Sequence, residues 1–170
     1  MKSDRWCDFE RLREIVSSQF EHGNFSIHGR THRERVERNG VWLAHRNNAD
    51  DLVVRLFAWF HDSKRINDGS DDGHGKRGAE YALSIRGQLF DLEDSALDLL
   101  VYACTWHTDQ ERSDDSTIGT CWDADRFDLG RVGEIPNAYY MSTDFGKTVA
   151  EAGFSSLKSS QISQFLLNSL

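Results

Sequence analysis

Two adjacent side chains that bind metal ions and protons end a strongly apolar segment of the chain. The stretch LFAWFHDSKR, residues 56–65, finishes its apolar run in His61 and Asp62. The residues before this doublet are apolar almost all round a helix, which predicts a helix buried in the core. An unpaired buried carboxylate is costly. Asp62 therefore needs a cation or hydrogen-bond donors, and other segments offer candidates.

Three other segments direct nitrogen or oxygen donors toward the interior. At about 100° per residue, each donor shares a helix stripe with apolar residues. The stripes are His32 with Val36 and Leu43, His107 with Leu100 and Ala103, and Asp125 with Trp122 and Leu129. Asp123 falls on the opposite face, so Asp125 is the expected inward carboxylate.

Five inward donors on four helices favour a buried metal site. A single inward histidine is usually a hydrogen-bonded core residue, and a single inward aspartate is usually a helix cap or an arginine partner. Several inward histidines and aspartates occurring together favour a metal site. Imidazole and carboxylate together suit divalent ions, so the expected cofactor is Mn, Fe, Co, Ni, Zn or Mg.

The apolar pattern predicts an all-α protein. The chain has a single proline and no long alternating β-branched run. Helices are predicted over about residues 5–20, 31–46, 51–64, 76–89 and 92–107, then a short helix within about 121–132. A last amphipathic helix is predicted through Leu157, Ile162, Phe165 and Leu166, in a tail of about 142–168. Asp50 or Asp51 is expected to cap the third helix. The whole chain, 1–170, is expected to be a single domain.

Composition narrows the classes of partner. The net charge is −8, which argues against a general nucleic-acid or anionic-membrane surface. No stable nucleic-acid complex and no membrane partner are therefore expected. The three cysteines form no C-x-x-C pair and are expected to be free thiols in a reducing compartment. Without a secretory signal or a spanning apolar run, a cytoplasmic location is expected.

The order of the donors resembles the HD-domain superfamily of metal-dependent phosphohydrolases. HGRTHRERV, FHDSKR and DADRFD follow the family order His … His-Asp … Asp, over about residues 28–130. The resemblance implies an HD-type helical bundle whose buried metal ligands are His32, His61, Asp62 and Asp125. In the family the last ligand is the Asp directly before Arg or Lys, which is again Asp125. His28 is expected to be a cap or to contact a ligand.

Two more histidines stand where some members of the superfamily hold a second metal. His74 and His107 would then bind a second ion, or would instead contact substrate or relay protons, so one ion or two remain open. The expected substrate-binding cations are Lys64, Arg65 and Arg126. Lys64 and Arg65 equally suit the negative end of a helix dipole. Arg126 is alternatively a partner of Asp128 or Asp123.

The leading hypothesis is hydrolysis of a phosphate ester, with nucleotides among the candidates. A bound divalent ion acidifies water and polarises a phosphoryl oxygen. A small phosphorylated molecule is therefore the expected partner. One alternative is a di-iron oxygenase on the same scaffold, and another is a non-catalytic, metal-stabilised ligand-binding or regulatory domain. Metal analysis with a panel of phosphate substrates distinguishes these hypotheses.

Overall fold

The structure, a computed structural model, describes residues 5–20 and 26–153, and these residues form a helical bundle. The described helices are α1 (Phe9–Ser18), α2 (Arg30–Asn47), α3 (Asp51–Phe60), α4 (His74–Ile85), α5 (Asp94–Trp106), α6 (Ser116–Arg126) and α7 (Asp144–Glu151). Short 3-10 turns follow α6 at Leu129–Val132 and Ala138–Tyr140. Two-residue strands, β1 (Trp6–Cys7) and β2 (Phe90–Asp91), pair antiparallel beside the bundle. The predicted all-α class is confirmed.

Helix α3 is the central element, as its apolar composition predicted. Its residues from Val53 to Phe60 are buried except Arg55, and it packs against α2, α4, α5 and α6. Asp50 caps it by accepting a hydrogen bond from the Val53 N–H at 3.1 Å. The helix ends earlier than predicted, because the Ser63 N–H bonds to the Phe60 carbonyl in a tightened last turn. That turn carries His61 and Asp62.

Close approach of α4 to its neighbours depends on two glycines. A Cβ at Gly78 would lie 2.2 Å from the Phe60 carbonyl oxygen, and one at Gly75 would lie 2.2 Å from the Cys104 carbonyl oxygen. Both contacts are shorter than any side chain allows. Gly75 and Gly78 therefore let the start of α4 lie against the ends of α3 and α5, which brings His74 into the interior.

Helix boundaries differ from the predictions where caps decide them. α1 begins after Asp8, whose Oδ1 accepts the Arg11 N–H at 3.1 Å, and the residues before it form β1. α5 likewise begins after β2. α6 begins several residues early, because Asp115 Oδ1 accepts the N–H groups of Thr117 and Ile118, each at 2.9 Å. Capping geometry of this kind depends on loop conformation.

The C-terminal part of the described chain contains α7, which lies within the tail of about 142–168 that was predicted to be helical. α7 is capped by Thr143, whose Oγ1 accepts the Gly146 N–H at 2.9 Å. The predicted amphipathic helix through Leu157 and Leu166 lies outside the described residues. Among the described residues, no helix is long and apolar enough to cross a membrane.

Candidate metal centre

Four predicted ligands converge from three helices. His32 comes from the first turn of α2, His61 and Asp62 from the turn after α3, and Asp125 from the end of α6. The two histidine Nε2 atoms lie 3.1 Å apart. Asp62 Oδ2 lies 3.4 Å from each of these nitrogens. Asp125 Oδ1 lies 3.3 Å from His32 Nε2 and 3.6 Å from His61 Nε2.

The hydrogen bonds of the two histidines show which atoms face the centre. His32 Nδ1 donates to Asp128 Oδ2 at 2.6 Å, and His61 Nδ1 donates to the Phe57 carbonyl at 3.0 Å. Each neutral ring then presents the lone pair of its Nε2. Asp125 Oδ1 is buried and has no hydrogen-bond partner in the structure. With both rings neutral, four acceptor atoms thus meet, and His28 Nδ1 lies 2.6 Å from one of them, Asp62 Oδ2.

A divalent cation fits this arrangement. Histidine and carboxylate ligands bind at about 2.0–2.2 Å, which places them about 3.0–3.5 Å apart around one ion. The observed separations of 3.1–3.6 Å agree with that geometry. Two carboxylates offset the charge of a divalent ion. An ion that takes more than four ligands keeps positions for water and substrate.

Asp128 orients His32, a role that the sequence pattern did not reveal. Its carboxylate is buried and accepts from Arg35 Nε at 2.5 Å and Arg35 Nη2 at 2.9 Å, besides the bond from His32. A carboxylate on the outer nitrogen of a ligating histidine fixes the tautomer and raises its basicity. The three-residue spacing between Asp125 and Asp128 could have revealed this role, because it places both carboxylates near the C-terminal end of α6.

His28 contacts the centre from the turn just before α2, two residues ahead of Arg30. Its Nδ1 lies 2.6 Å from Asp62 Oδ2, and its side chain is buried. This agrees with the expectation that His28 contacts a ligand. Donor atoms of His28, His32 and Asp62 also lie within 4.8 Å of one another, so His28 stands close enough to the centre to support Asp62 directly.

Mutual hydrogen bonding strongly shifts the titration of the ligands. Burial opposes protonation of His32, but the nearby carboxylates of Asp125, Asp128 and Asp62 raise its pKa to about 10. Asp62 is buried too, yet the charge of His61 and the hydrogen bond from His28 hold its pKa well below the usual value. The carboxylates therefore stay ionised, and a metal ion must compete with a proton for His32.

The two remaining histidines meet the other oxygen of Asp62. His74 Nε2 lies 3.2 Å and His107 Nε2 lies 3.5 Å from Asp62 Oδ1, and the two nitrogens are 3.0 Å apart. Burial lowers the pKa of His107 and favours its neutral ring. All six donors predicted from sequence are thus brought together, with Asp62 at their middle. The sequence pattern placed His107 within the fifth helix; in the structure it is the C-cap, one residue past the end of α5.

The three predicted substrate cations take different positions. Arg65 Nη1 lies 2.9 Å from His74 Nε2 and 3.5 Å from Asp62 Oδ1, within the centre. The Lys64 ammonium instead contacts the side-chain oxygen of Gln19 and lies 4.2 Å from the Tyr81 ring centroid.

Arg126 follows the ligand Asp125, but its partners are not the predicted ones. Instead of bonding to Asp128 or Asp123, it donates to the carbonyls of Tyr140 at 2.5 Å and Gln110 at 3.0 Å. Both acceptors are backbone groups from segments distant in sequence, which side-chain pattern cannot reveal. Arg126 thereby ties the end of α6 to these two segments.

Asp123 points away from the centre, as predicted, and has a structural role. Its carboxylate accepts from the N–H groups of Ser142 at 2.7 Å and Thr143 at 2.9 Å, and from Thr143 Oγ1 at 2.7 Å. These bonds attach the start of α7 to α6. The helix-face argument that separated Asp125 from Asp123 therefore agrees with the structure.

Two of the solved structures similar to this chain are HD-superfamily hydrolases. No protein-family model and no curated protein matches the sequence. A predicted HD superfamily hydrolase from an uncultured Thermotogales bacterium is 26% identical with a TM-score of 0.67, covering 95% of this chain and 92% of that one. Bacillus subtilis YpgQ, solved in complex with ADP, is 16% identical with a TM-score of 0.57 over 94% and 91%. An HD-superfamily hydrolase from Bacillus thuringiensis is 15% identical with a TM-score of 0.56 over 94% and 93%. The two Bacillus likenesses show the shared fold alone.

Proposed function

Because this chain belongs to the HD-domain superfamily, we propose that it is a metal-dependent hydrolase that cleaves a phosphate ester. One observation carries the proposal: the buried Nε2 atoms of His32 and His61 lie 3.1 Å apart and 3.3–3.6 Å from oxygens of both Asp62 and Asp125, and Asp125 Oδ1 has no hydrogen-bond partner. Such a set needs positive charge among its acceptors, supplied by protons on the histidines in the metal-free protein or by a metal ion that displaces them. An ion that takes more than four ligands would keep positions there for water and substrate.

The chain's own residues divide the remaining work. A divalent ion held there would supply Lewis acidity toward a phosphoryl oxygen and toward water. His32 is kept in its ligating tautomer by Asp128, and His61 by the Phe57 carbonyl. Arg65 and Arg126 are the cations proposed to bind phosphoryl oxygens, since a guanidinium matches phosphate geometry. Arg65 stands nearest, in contact with Asp62 and His74.

His107 is proposed to hold or move a proton at Nε2. Its Nδ1 donates to the Cys104 carbonyl at 2.7 Å, so Nε2 carries the lone pair. Burial lowers its pKa, which keeps that lone pair available near neutral pH. A positioned histidine of this kind contributes about 10²–10⁴-fold to a proton-transfer step.

Nucleotides are the first substrates to test within the phosphate-ester class. The similar Bacillus subtilis YpgQ was solved with ADP, which supports including nucleoside mono-, di- and triphosphates in the panel. The proposed partner of the centre is thus a small phosphorylated molecule. An aryl phosphate belongs in the same panel, because it tests the hydrolytic centre without requiring recognition of a base.

The experiment combines metal analysis with that panel. Protein loaded in turn with Mn²⁺, Co²⁺, Ni²⁺, Fe²⁺, Zn²⁺ or Mg²⁺ is expected to release phosphate or pyrophosphate and to lose the activity on chelation. Asp125→Asn should lower turnover by at least about 100-fold, since it removes a charged ligand without changing side-chain shape. Asp144→Asn, on a fully exposed side chain of α7, is the matched control and should retain activity.

Two results would overturn the proposal. One is metal-loaded protein that hydrolyses no member of the panel, and the other is Asp125→Asn protein as active as wild type. Oxygen consumption by the iron-loaded protein, measured in parallel, would instead favour the oxygenase alternative. Binding of a phosphorylated compound without turnover would favour a ligand-binding domain.

A further inference from the structure

Each oxygen of Asp62 faces its own group of acceptor atoms, and the two groups differ in whether an arginine of the chain lies among them. On the Oδ2 side, His32 and His61 meet Asp125, and His28 Nδ1 lies 2.6 Å from Asp62 Oδ2, but no described arginine or lysine bonds to the facing atoms. On the Oδ1 side, the acceptor atoms already have a cation of the chain among them, the guanidinium of Arg65.

The Oδ1 group has the geometry of a metal site. Its three atoms, Asp62 Oδ1, His74 Nε2 and His107 Nε2, are separated pairwise by 3.2, 3.5 and 3.0 Å. His74 Nδ1 donates to the Asp71 carbonyl at 2.6 Å and His107 Nδ1 to the Cys104 carbonyl at 2.7 Å. Both Nε2 atoms therefore present lone pairs. Three acceptors this close require a positive charge, and three protein ligands suffice for a catalytic ion.

Arg65 supplies that charge from an anchored position. Its Nη1 donates to His74 Nε2 at 2.9 Å and lies 3.5 Å from Asp62 Oδ1. Its other nitrogens donate to the carbonyls of Asn67 at 3.3 Å and Gly69 at 2.8 Å. The side chain is 8% exposed. These bonds account for Nε, Nη1 and Nη2 together, so the guanidinium is held rather than loosely placed.

A second metal ion and this guanidinium exclude each other. The single lone pair of His74 Nε2 accepts the Arg65 N–H and cannot also bind a metal. A second divalent ion would also stand beside a fixed positive charge, with Asp62 as the one carboxylate shared by both sides. A like charge at such short range disfavours binding in a buried site.

We propose that Arg65 takes the place of a second metal ion, so that the centre holds one divalent ion on the His32–His61 side and one guanidinium on the other. The inference rests on the proposed function, and it deepens that proposal by naming what binds the phosphoryl group. A metal and an arginine flanking one aspartate would together hold the oxygens of a phosphoryl group, which guanidinium matches in charge and geometry.

The number of bound ions tests the inference without relying on turnover. Native mass spectrometry during titration with Mn²⁺ should give one ion per wild-type chain. Arg65→Met retains much of the side-chain length but removes the charge, and it should bind two ions. Electron paramagnetic resonance should then show coupling between two manganese ions about 3.5–4 Å apart, the spacing typical of two-metal sites.

Two further variants distinguish the effect of removing the Arg65 charge from the effect of loosening the loop that follows Arg65. Asp71→Asn weakens the bonds that Asp71 Oδ1 and Oδ2 accept from Arg77 and from the Ile66 N–H, and it should still bind one ion. Arg65→Met combined with His107→Phe should return to one ion, because it deletes a ligand of the opened site.

The outcomes distinguish this inference from the proposed function. Two ions in the wild-type protein, one ion in Arg65→Met, two ions in Asp71→Asn, or two ions in the double variant would each overturn the inference while leaving a metal-dependent hydrolase in place. A wild-type chain that binds no divalent ion would overturn the proposed function as well.

Discussion

His32 and His61 point their Nε2 atoms at each other across 3.1 Å, although each ring has given its Nδ1 hydrogen to another acceptor. Two lone pairs at that distance repel unless a cation lies between them or a proton is shared. The raised pKa values of both histidines express the same fact, because the nearby carboxylates favour protonation despite burial. A metal ion would replace that proton.

Replacing Asp62 with alanine should abolish metal binding. Asp62 Oδ2 lies 3.4 Å from the Nε2 atoms of His32 and His61, and Oδ1 lies 3.2 Å from His74 Nε2. One substitution therefore removes a ligand from both sides of the centre. Elemental analysis of purified wild-type and variant protein should show the metal lost. Equal metal content in both proteins would contradict the assignment.

Asp125 and Asp123 should differ in what they support. Asp125→Ala should remove metal and leave the fold intact, since its inward oxygen has no protein hydrogen bond to lose. Asp123→Ala should keep metal binding but lower the free energy of unfolding by about 1–3 kcal/mol, because the Ser142 and Thr143 N–H groups lose their acceptor. Metal content and urea unfolding of both variants test this. A greater loss of metal in Asp123→Ala would show that the helix phase is wrong.

Asp128→Asn should weaken metal binding without removing a ligand. The amide keeps the shape of the carboxylate but loses the charge that orients His32 and pairs with Arg35. Loss of such a supporting group typically costs 10–100-fold in metal affinity, so a shift of about that size is expected. Titration against a competing chelator measures it. Asp144→Asn, on the surface, serves as control, and an unchanged affinity in Asp128→Asn would remove Asp128 from the site.

His107→Phe should leave the fold intact and cut turnover by about 10²-fold or more. An aromatic ring of similar shape fills the buried position, so stability should change little. If Arg65 replaces the second ion, the metal content should stay at one ion per chain. Turnover equal to wild type would mean that His107 only packs, and the functional site would reduce to His32, His61, Asp62 and Asp125.

Metal affinity should rise with pH. The pKa of metal-free His32 is raised from 6.5 to about 10, so below that pH the ring carries a proton that an ion must displace. In the metal-free protein, protonated His32 also stabilises the fold. This contribution to the free energy of unfolding is fully present below about pH 6.5 and is lost as the pH rises through about 10. Calorimetry near neutral pH in buffers of different ionisation enthalpy should detect about one proton released per ion from His32. Release of none would contradict the predicted protonation.

The sequence by itself determined the helical class and the main donor set. Helix periodicity fixes which side chains share a face, and that alone separated inward Asp125 from Asp123, whose carboxylate bonds to Ser142 and Thr143. The apolar run before His61 likewise predicted a buried α3. These are local properties, because neighbouring residues on one helix set them without reference to the rest of the chain.

The tertiary structure decided which atom each donor offers and what stands beside it. Asp128 bonds to His32 across 96 positions of sequence, and Arg35 reaches the same carboxylate across 93. Arg65 lies between Asp62 and His74 because carbonyls of the 67–69 turn hold its guanidinium there. Periodicity places a residue on a face but does not fix its rotamer or its partner on another helix. Those depend on how α2, α3 and α4 pack together.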